Sequence, residues 1–371
     1  MISKHAYPPL DLPGLTDDDL LARPLARAET LPAACYVDPR ALAFERAAIF
    51  ARSWQAVGHA AQVAERGRYF TATIAGAPVL VVRGDDGALR GFYNVCRHRA
   101  GPIALDPEGS ASVLRCRYHG WTYGLDGALR GLPRWRGVEC FDRAEYGLRP
   151  VAVHEWQGLV LVHLDPDAPP FADAVAGLDA RLGGLDLGGL RFTRERIYEV
   201  EADWKVYVDN YLEGYHVPMV HPGLAALYAP STYTSEVGGE WSLQWARLDP
   251  DDPTYSPGPG ALAYYVYLFP NLMLNLVGGR LQTNLVEPTG PGRCRVIFRY
   301  FFPDPEAAGV DPDIAFCDRT QAEDAAICAH VQRGLASGGY TRGRLSVEEE
   351  AAVHHFQERL RRAYRGGAES T

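Results

Sequence analysis

Two periods alternate along the chain. Between residues 39 and 53, Leu42, Ala43, Ile49 and Phe50 recur at helical spacing on one side, which predicts an amphipathic helix. The period then drops to two. Short β-rich runs at 69–74, 78–83, 89–94, 113–115, 122–123 and 159–164 are cut by turn sequences such as Gly84-Asp85-Asp86-Gly87 and Leu125-Asp126-Gly127. That pattern predicts a small antiparallel sheet domain. It closes near Asp165-Pro166-Asp167, and Ala168-Pro169-Pro170 reads as a linker.

Residues 171–190 read as a short helix plus loop, and 191–202 as a strand. Helical phase through Trp204 to Tyr215 follows, with Pro218 expected to end or kink it. Strands are expected over 232–248 and 261–302, with Gly278-Gly279 and residues 288–292 as the turns between 262–277, 280–287 and 293–302. Helical spacing returns at 311–335 and 346–365, the latter begun by Ser346 and Glu349 in a capping-box pattern. No internal repeat is visible. The expected organisation is an irregular Pro- and Leu-rich arm (1–40), a small antiparallel β-domain with a preceding helix (41–165), and a second domain (166–371). In the second, helices cover a twisted antiparallel sheet, so the fold class is α+β.

The chain's 371 residues allow two domains and a sizeable core. A net charge of -9 supplies no basic excess for phosphates, which argues against a nucleic-acid binder. No apolar run nears the roughly 18 residues of a membrane span, and the first residues lack an apolar signal core, so a cytoplasmic protein is expected. Seven cysteines, an odd number spread along the chain, do not form a disulfide framework. Clustered Cys with His points to metal instead.

Cys96-Arg97-His98 and Cys116-Arg117-Tyr118-His119 are two mixed pairs, each with one thiolate and one imidazole donor, on loops that follow strand-like runs. Structural zinc more often pairs C-x2-4-C with H-x3-5-H. Mixed pairs let both Cys bind one metal and both His another, which is the ligand logic of a Rieske [2Fe–2S] centre. Cys35, Cys140, Cys294, Cys317 and Cys328 have no His at ligand spacing and read as buried small hydrophobes.

A second constellation lies at 203–224. Glu213 and His216 fall one helical turn apart, and a bend at Pro218 brings His221 beside His216. Two histidines alone are often structural. A non-haem Fe(II) site adds a carboxylate on the same face. The helix at 311–335 offers one: Cys317, Gln321, Asp324, Cys328, Val331 and Leu335 form an inward stripe with Asp324 at its centre. Glu323, one residue off the stripe, is the second candidate, and Asp318 is expected to face solvent. The plain alternative for Glu213 is a salt bridge with Lys205.

The run from Asn94 to Trp121 resembles the Rieske domain of ring-hydroxylating and related Rieske non-haem iron oxygenases, and 203–224 resembles their mononuclear iron segment. The match spans about residues 40–360. The resemblance implies a catalytic alpha subunit with a helix-grip-like catalytic domain. It implies that Cys96 and Cys116 hold the outer iron of the cluster, that His98 and His119 hold the inner one, and that His216, His221 and Asp324 hold a mononuclear Fe(II). It implies that Glu213 links His216 to a Rieske histidine, His119, of the next subunit in a head-to-tail homotrimer. It also implies a separate reductase or ferredoxin, since no flavin or nicotinamide motif is present.

On that resemblance the protein is the terminal component of a multicomponent oxygenase, using O2 to hydroxylate a small aromatic or related substrate. A monooxygenase acting on a quaternary ammonium compound of carnitine, choline or betaine type is the alternative. Glu at position 213, where the family more often has Asp, favours the latter. An electron carrier without oxygenase activity is the alternative from another class. For the substrate pocket, period-two alternation puts Tyr265, Tyr267 and Phe269 on one face, with Asn275 nearby.

Overall fold

Asp38 opens the first long helix, Pro39–Ala48: its carboxylate accepts the Arg40 amide, and Pro39 sits in the first turn, where no amide is needed. The computed structural model describes residues 7–183, 187–229, 232–251 and 261–366. They divide into two units: Phe50–Phe171, and a second in which residues up to Ile49 join those from Ala172 onward. The arm and the helix Pro39–Ala48 therefore belong with the second unit, not with the small β-domain. Their long-range partners explain this. Glu45 is fully buried, accepts the Trp204 indole N–H at 2.7 Å, pairs with Lys205 at 2.8 Å and accepts the Tyr364 hydroxyl.

In the first unit, seven antiparallel strands run in the order Gln55–His59, Leu159–His163, Pro150–Trp156, Leu89–Tyr93, Ala77–Arg83, Arg68–Ile74 and Glu108–Ser110. A second, three-stranded sheet holds Leu114–Arg115, Thr122–Tyr123 and Leu129–Gly131. The strand Ala77–Arg83 is apolar on both faces because it divides two cores. Leu80 and Val82 join Trp121 and Tyr123, whereas Val79 and Val81 join Val160 and Val162.

The second unit carries a seven-stranded antiparallel sheet, ordered Arg191–Val200, Arg293–Phe302, Arg280–Gly290, Leu272–Val277, Leu262–Leu268, Trp241–Arg247 and Thr234–Val237. The stretch expected as one strand over 262–277 is a hairpin, Leu262–Leu268 and Leu272–Val277, turning at residues 269–271. Its helices include Trp204–Tyr211, Val310–Ala336 and Ala351–Tyr364. The Ser346 hydroxyl does accept the Glu349 amide at 3.3 Å, but on a turn that precedes the helix rather than on its first turn. Among the described residues, no helix is long and apolar enough to cross a membrane.

Candidate functional site

The two Cys/His loops of the first unit share one backbone device. The Cys96 amide donates to the Gly101 carbonyl at 2.8 Å and the Ala100 amide returns to Cys96 at 3.1 Å; Cys116 repeats this with Trp121 at 2.9 Å and Gly120 at 3.0 Å. The fifth residue of each loop is left-handed, Ala100 at φ 56° and Gly120 at φ 75°. Gly101 lets the loops approach: a Cβ there would stand 3.1 Å from Cys116 Sγ. Both thiols are buried, and burial with the neighbouring Cys96 raises the Cys116 pKa. Tyr123 Oη lies 3.3 Å from Cys96 Sγ and accepts the Arg97 amide.

The His98 ring stacks on Trp121 at 5.0 Å and meets the His119 ring at 4.6 Å. Burial, then His119 and Arg99, lower the His98 pKa and favour the neutral ligand form. His98 Nδ1 is buried without a hydrogen-bond partner, an orphan that a metal ligand bond satisfies. These four residues fit a [2Fe–2S] cluster better than one ion. The set of donor atoms that converges within 4.8 Å lies elsewhere in the described residues: His216, His221 and Asp324.

That second set is built differently from its expectation. The helix ends at Tyr211, not at Pro218. A turn follows through Gly214, where a Cβ would stand 2.6 Å from the Tyr233 ring. Pro218 instead lies in the first turn of a new short helix, Val217–Val220, where its missing amide costs nothing. Glu213 spans the break, accepting the His216 amide at 3.0 Å and holding His216 Nδ1 at 2.7 Å. Lys205 is not its partner; that ammonium is buried between Glu45 and Asp203.

His221 Nε2 lies 3.0 Å and His216 Nε2 3.9 Å from Asp324 Oδ1. Asp324 is fixed by Asn210, whose amide donates at 2.6 Å. Glu323 does not converge with the set; it holds the far nitrogen of His221, Nδ1, at 2.7 Å. A carboxylate thus backs each histidine, leaving both Nε2 atoms turned to one point. Asn210 and the supporting role of Glu323 escaped the sequence reading, because neither carries a ligand spacing. Asp318, its side chain 37% exposed, also accepts the Tyr198 hydroxyl across the sheet edge. Cys140 is exposed rather than buried.

Beside these residues lies a cavity of about 850 Å³ including its mouth, lined by Tyr211, Tyr228, Tyr233, Tyr265 and Phe316 among others. Of the four expected pocket residues, Tyr265 and Asn275 line it, whereas Tyr267 and Phe269 do not. Alternation predicted the face but not its cover. The helix Ala351–Tyr364 lays Phe356 against Tyr267 and Phe269, and Tyr267 donates to the Pro270 carbonyl.

Family models match twice: a Rieske [2Fe-2S] domain over residues 53–142 and the catalytic domain of a ring hydroxylating alpha subunit over 187–366. The second match answers the electron-carrier alternative. A chloroplastic choline monooxygenase of Arabidopsis thaliana is 35% identical over 353 residues, 90% of this chain and 82% of its own. The carnitine monooxygenase oxygenase subunit of Escherichia coli (strain K12) is 31% identical over 91% of this chain and 94% of its own. The crystal structure of the quaternary ammonium Rieske monooxygenase CntA with L-carnitine superposes with a TM-score of 0.81 at 29% identity, covering 94% of this chain and 99% of that one.

Proposed function

The chain belongs to the Rieske non-haem iron oxygenases as a ring-hydroxylating-type alpha subunit, and from that premise we propose that it is the terminal monooxygenase for a quaternary ammonium substrate. The carrying observation is the cavity wall. Five tyrosines, Phe298 and Phe316 line a space whose wall also includes Glu213 and Asp324. Ring faces and carboxylates attract a trimethylammonium that has shed its water. The expectation of an aromatic substrate rested on family breadth alone, and the choline and carnitine relatives weigh toward the alternative.

His216, His221 and Asp324 hold the mononuclear iron, and Cys96, His98, Cys116 and His119 hold the cluster. When bound, the cluster supplies electrons singly and the iron supplies O2 activation. The protein's own part is orientation. Glu213 and Glu323 accept the Nδ1 protons of the two histidines, which keeps each Nε2 a ligand. Asn210 steadies Asp324, and the tyrosines hold the onium with its C–H bonds toward the metal end. The overall reaction consumes one C–H bond, O2, two electrons and two protons, and yields C–OH and water. The electrons come from a separate reductase or ferredoxin.

Glu213 also bridges to His119 of a neighbouring copy in a head-to-tail trimer. Exposure supports this: His119 and Tyr118 are open on one unit, and Tyr215 (64%) and Met219 (84%) flank His216 on the other. A heterologous contact of that kind closes into a ring. The test uses holoenzyme with a reductase and follows O2 uptake. Choline, carnitine or betaines should stimulate it and aromatic acids should not; the reverse pattern refutes the assignment. Glu213→Ala should bind Fe(II) more weakly, since it also loses the support of His216, and should lack turnover even at Fe(II) levels that fill both metal sites; full turnover in that variant removes the bridge.

A further inference from the structure

The cavity beside the metal ligands carries a single guanidinium. Arg280 is the only Lys or Arg among the described residues that line it. Arg280 is not available to an anion. Its Nε donates to Asp313 Oδ2 at 2.5 Å and its Nη2 to Asp313 Oδ1 at 3.2 Å. Nη2 also reaches Cys317 Sγ at 3.2 Å, and Nη1 the Asn275 carbonyl at 3.5 Å. Both side chains of the pair are 6% exposed. The two-point grip occupies the guanidinium and uses most of its five donors.

The other acidic side chains at the wall are Glu213 and Asp324, and the rest mixes aromatic rings with aliphatic and uncharged polar side chains. A substrate carboxylate placed there, away from the metal, would lose its hydration and find no free cationic side chain to pair with. A trimethylammonium bearing only a hydroxyl meets no such cost. Resting on the quaternary ammonium reading above, we propose that Asp313 sets the substrate class within it. By occupying Arg280, it selects onium compounds with a neutral tail, such as an amino alcohol, against zwitterions that carry a carboxylate.

The test measures equilibrium binding and kcat/KM of the holoenzyme for choline, L-carnitine, γ-butyrobetaine and glycine betaine. Choline should be preferred by about tenfold or more, about 1.4 kcal/mol. Equal or better use of the carboxylates overturns the proposal and leaves the onium reading standing. If none of the four binds and aromatic acids do, the onium reading falls and the proposal with it. Asp313→Asn releases Arg280 and should raise the carnitine-to-choline ratio about tenfold. An unchanged ratio in the folded variant removes the role of Asp313. If that variant does not fold, the double variant R280M/D313L deletes both charges together and should keep the preference for choline; a switch to carnitine overturns the proposal.

Discussion

Glu323→Gln separates a ligand from a residue that holds one. On the proposed function His221 would bind iron as a neutral ring through Nε2, so that Nδ1 would carry the proton and donate to Glu323 Oε2 across 2.7 Å. Glutamine can still accept that bond, but without charge, and charge-assisted bonds are roughly twice as strong as neutral ones. Loss of an outer carboxylate of this kind lowers metal affinity about 10- to 100-fold. The Glu323 side chain is 45% exposed, so water screens it and the low end applies: about tenfold, or about 1.4 kcal/mol. Fe(II) competition against a chelator reads this directly, while the visible spectrum of the cluster should be unchanged. Asp324→Asn, which alters a ligand, should lose far more. Wild-type affinity in Glu323→Gln, or a loss equal to that of Asp324→Asn, refutes the reasoning.

Two further predictions concern stability. Lys205→Met leaves Glu45 and Asp203 buried and unpaired, which should cost about 3–5 kcal/mol in urea unfolding; a cost below about 1 kcal/mol contradicts the buried pairing. Burial pushes the Asp203 pKa up to about 6, with Lys205 opposing. A raised folded-state value means that stability is lost as pH rises through it, so the Lys205→Met deficit should be larger at pH 8 than at pH 5. For His355, burial first and Arg359 second lower the pKa to about 4. Its contribution is therefore present above the unfolded value near 6.5 and is lost as pH falls toward 4. His355→Gln should reduce that acid-side loss by up to about 3 kcal/mol, and an unaltered acid limb of Tm against pH argues against it.

What could be read from sequence was what is local or periodic. Cys96-x-His98 and Cys116-x-x-His119 announce themselves by spacing, because a loop positions donors a few residues apart. Asp324 was found about a hundred residues from His221 by phase alone: Cys317, Gln321 and Cys328 on its stripe are buried. The stripe surfaces at Val331, 45% exposed, since helical phase does not say where a helix leaves its neighbours. Tyr267 and Phe269 failed for a related reason. Alternation assigns a face, but which helix covers that face is a tertiary matter. The supporting roles of Asn210 and Glu323 depend on what lies opposite them in space, and nothing near them in sequence encodes it. Residues 41–49 fall with the second unit rather than the β-domain, and the partners of this region, Trp204, Gln357 and Tyr364, lie 159 to 326 residues downstream.

That last arrangement has a temporal side. Among the described residues the cluster-bearing unit is one continuous stretch, Phe50–Phe171, whereas its companion begins before it and ends after it. The final helix supplies Gln357 and Tyr364 to the opening residues: the Leu31 amide donates to Gln357 at 2.9 Å, and the Leu10 amide to the Tyr364 carbonyl at 2.7 Å. At a ribosomal rate of about 5–20 residues per second, roughly 10 to 40 s separate completion of the cluster-bearing unit from emergence of that helix. The cluster loops thus emerge while the second unit still lacks its helix Ala351–Tyr364. The residues for electron transfer precede those for oxygen chemistry in synthesis, and early C-terminal loss should leave a coloured but inactive protein.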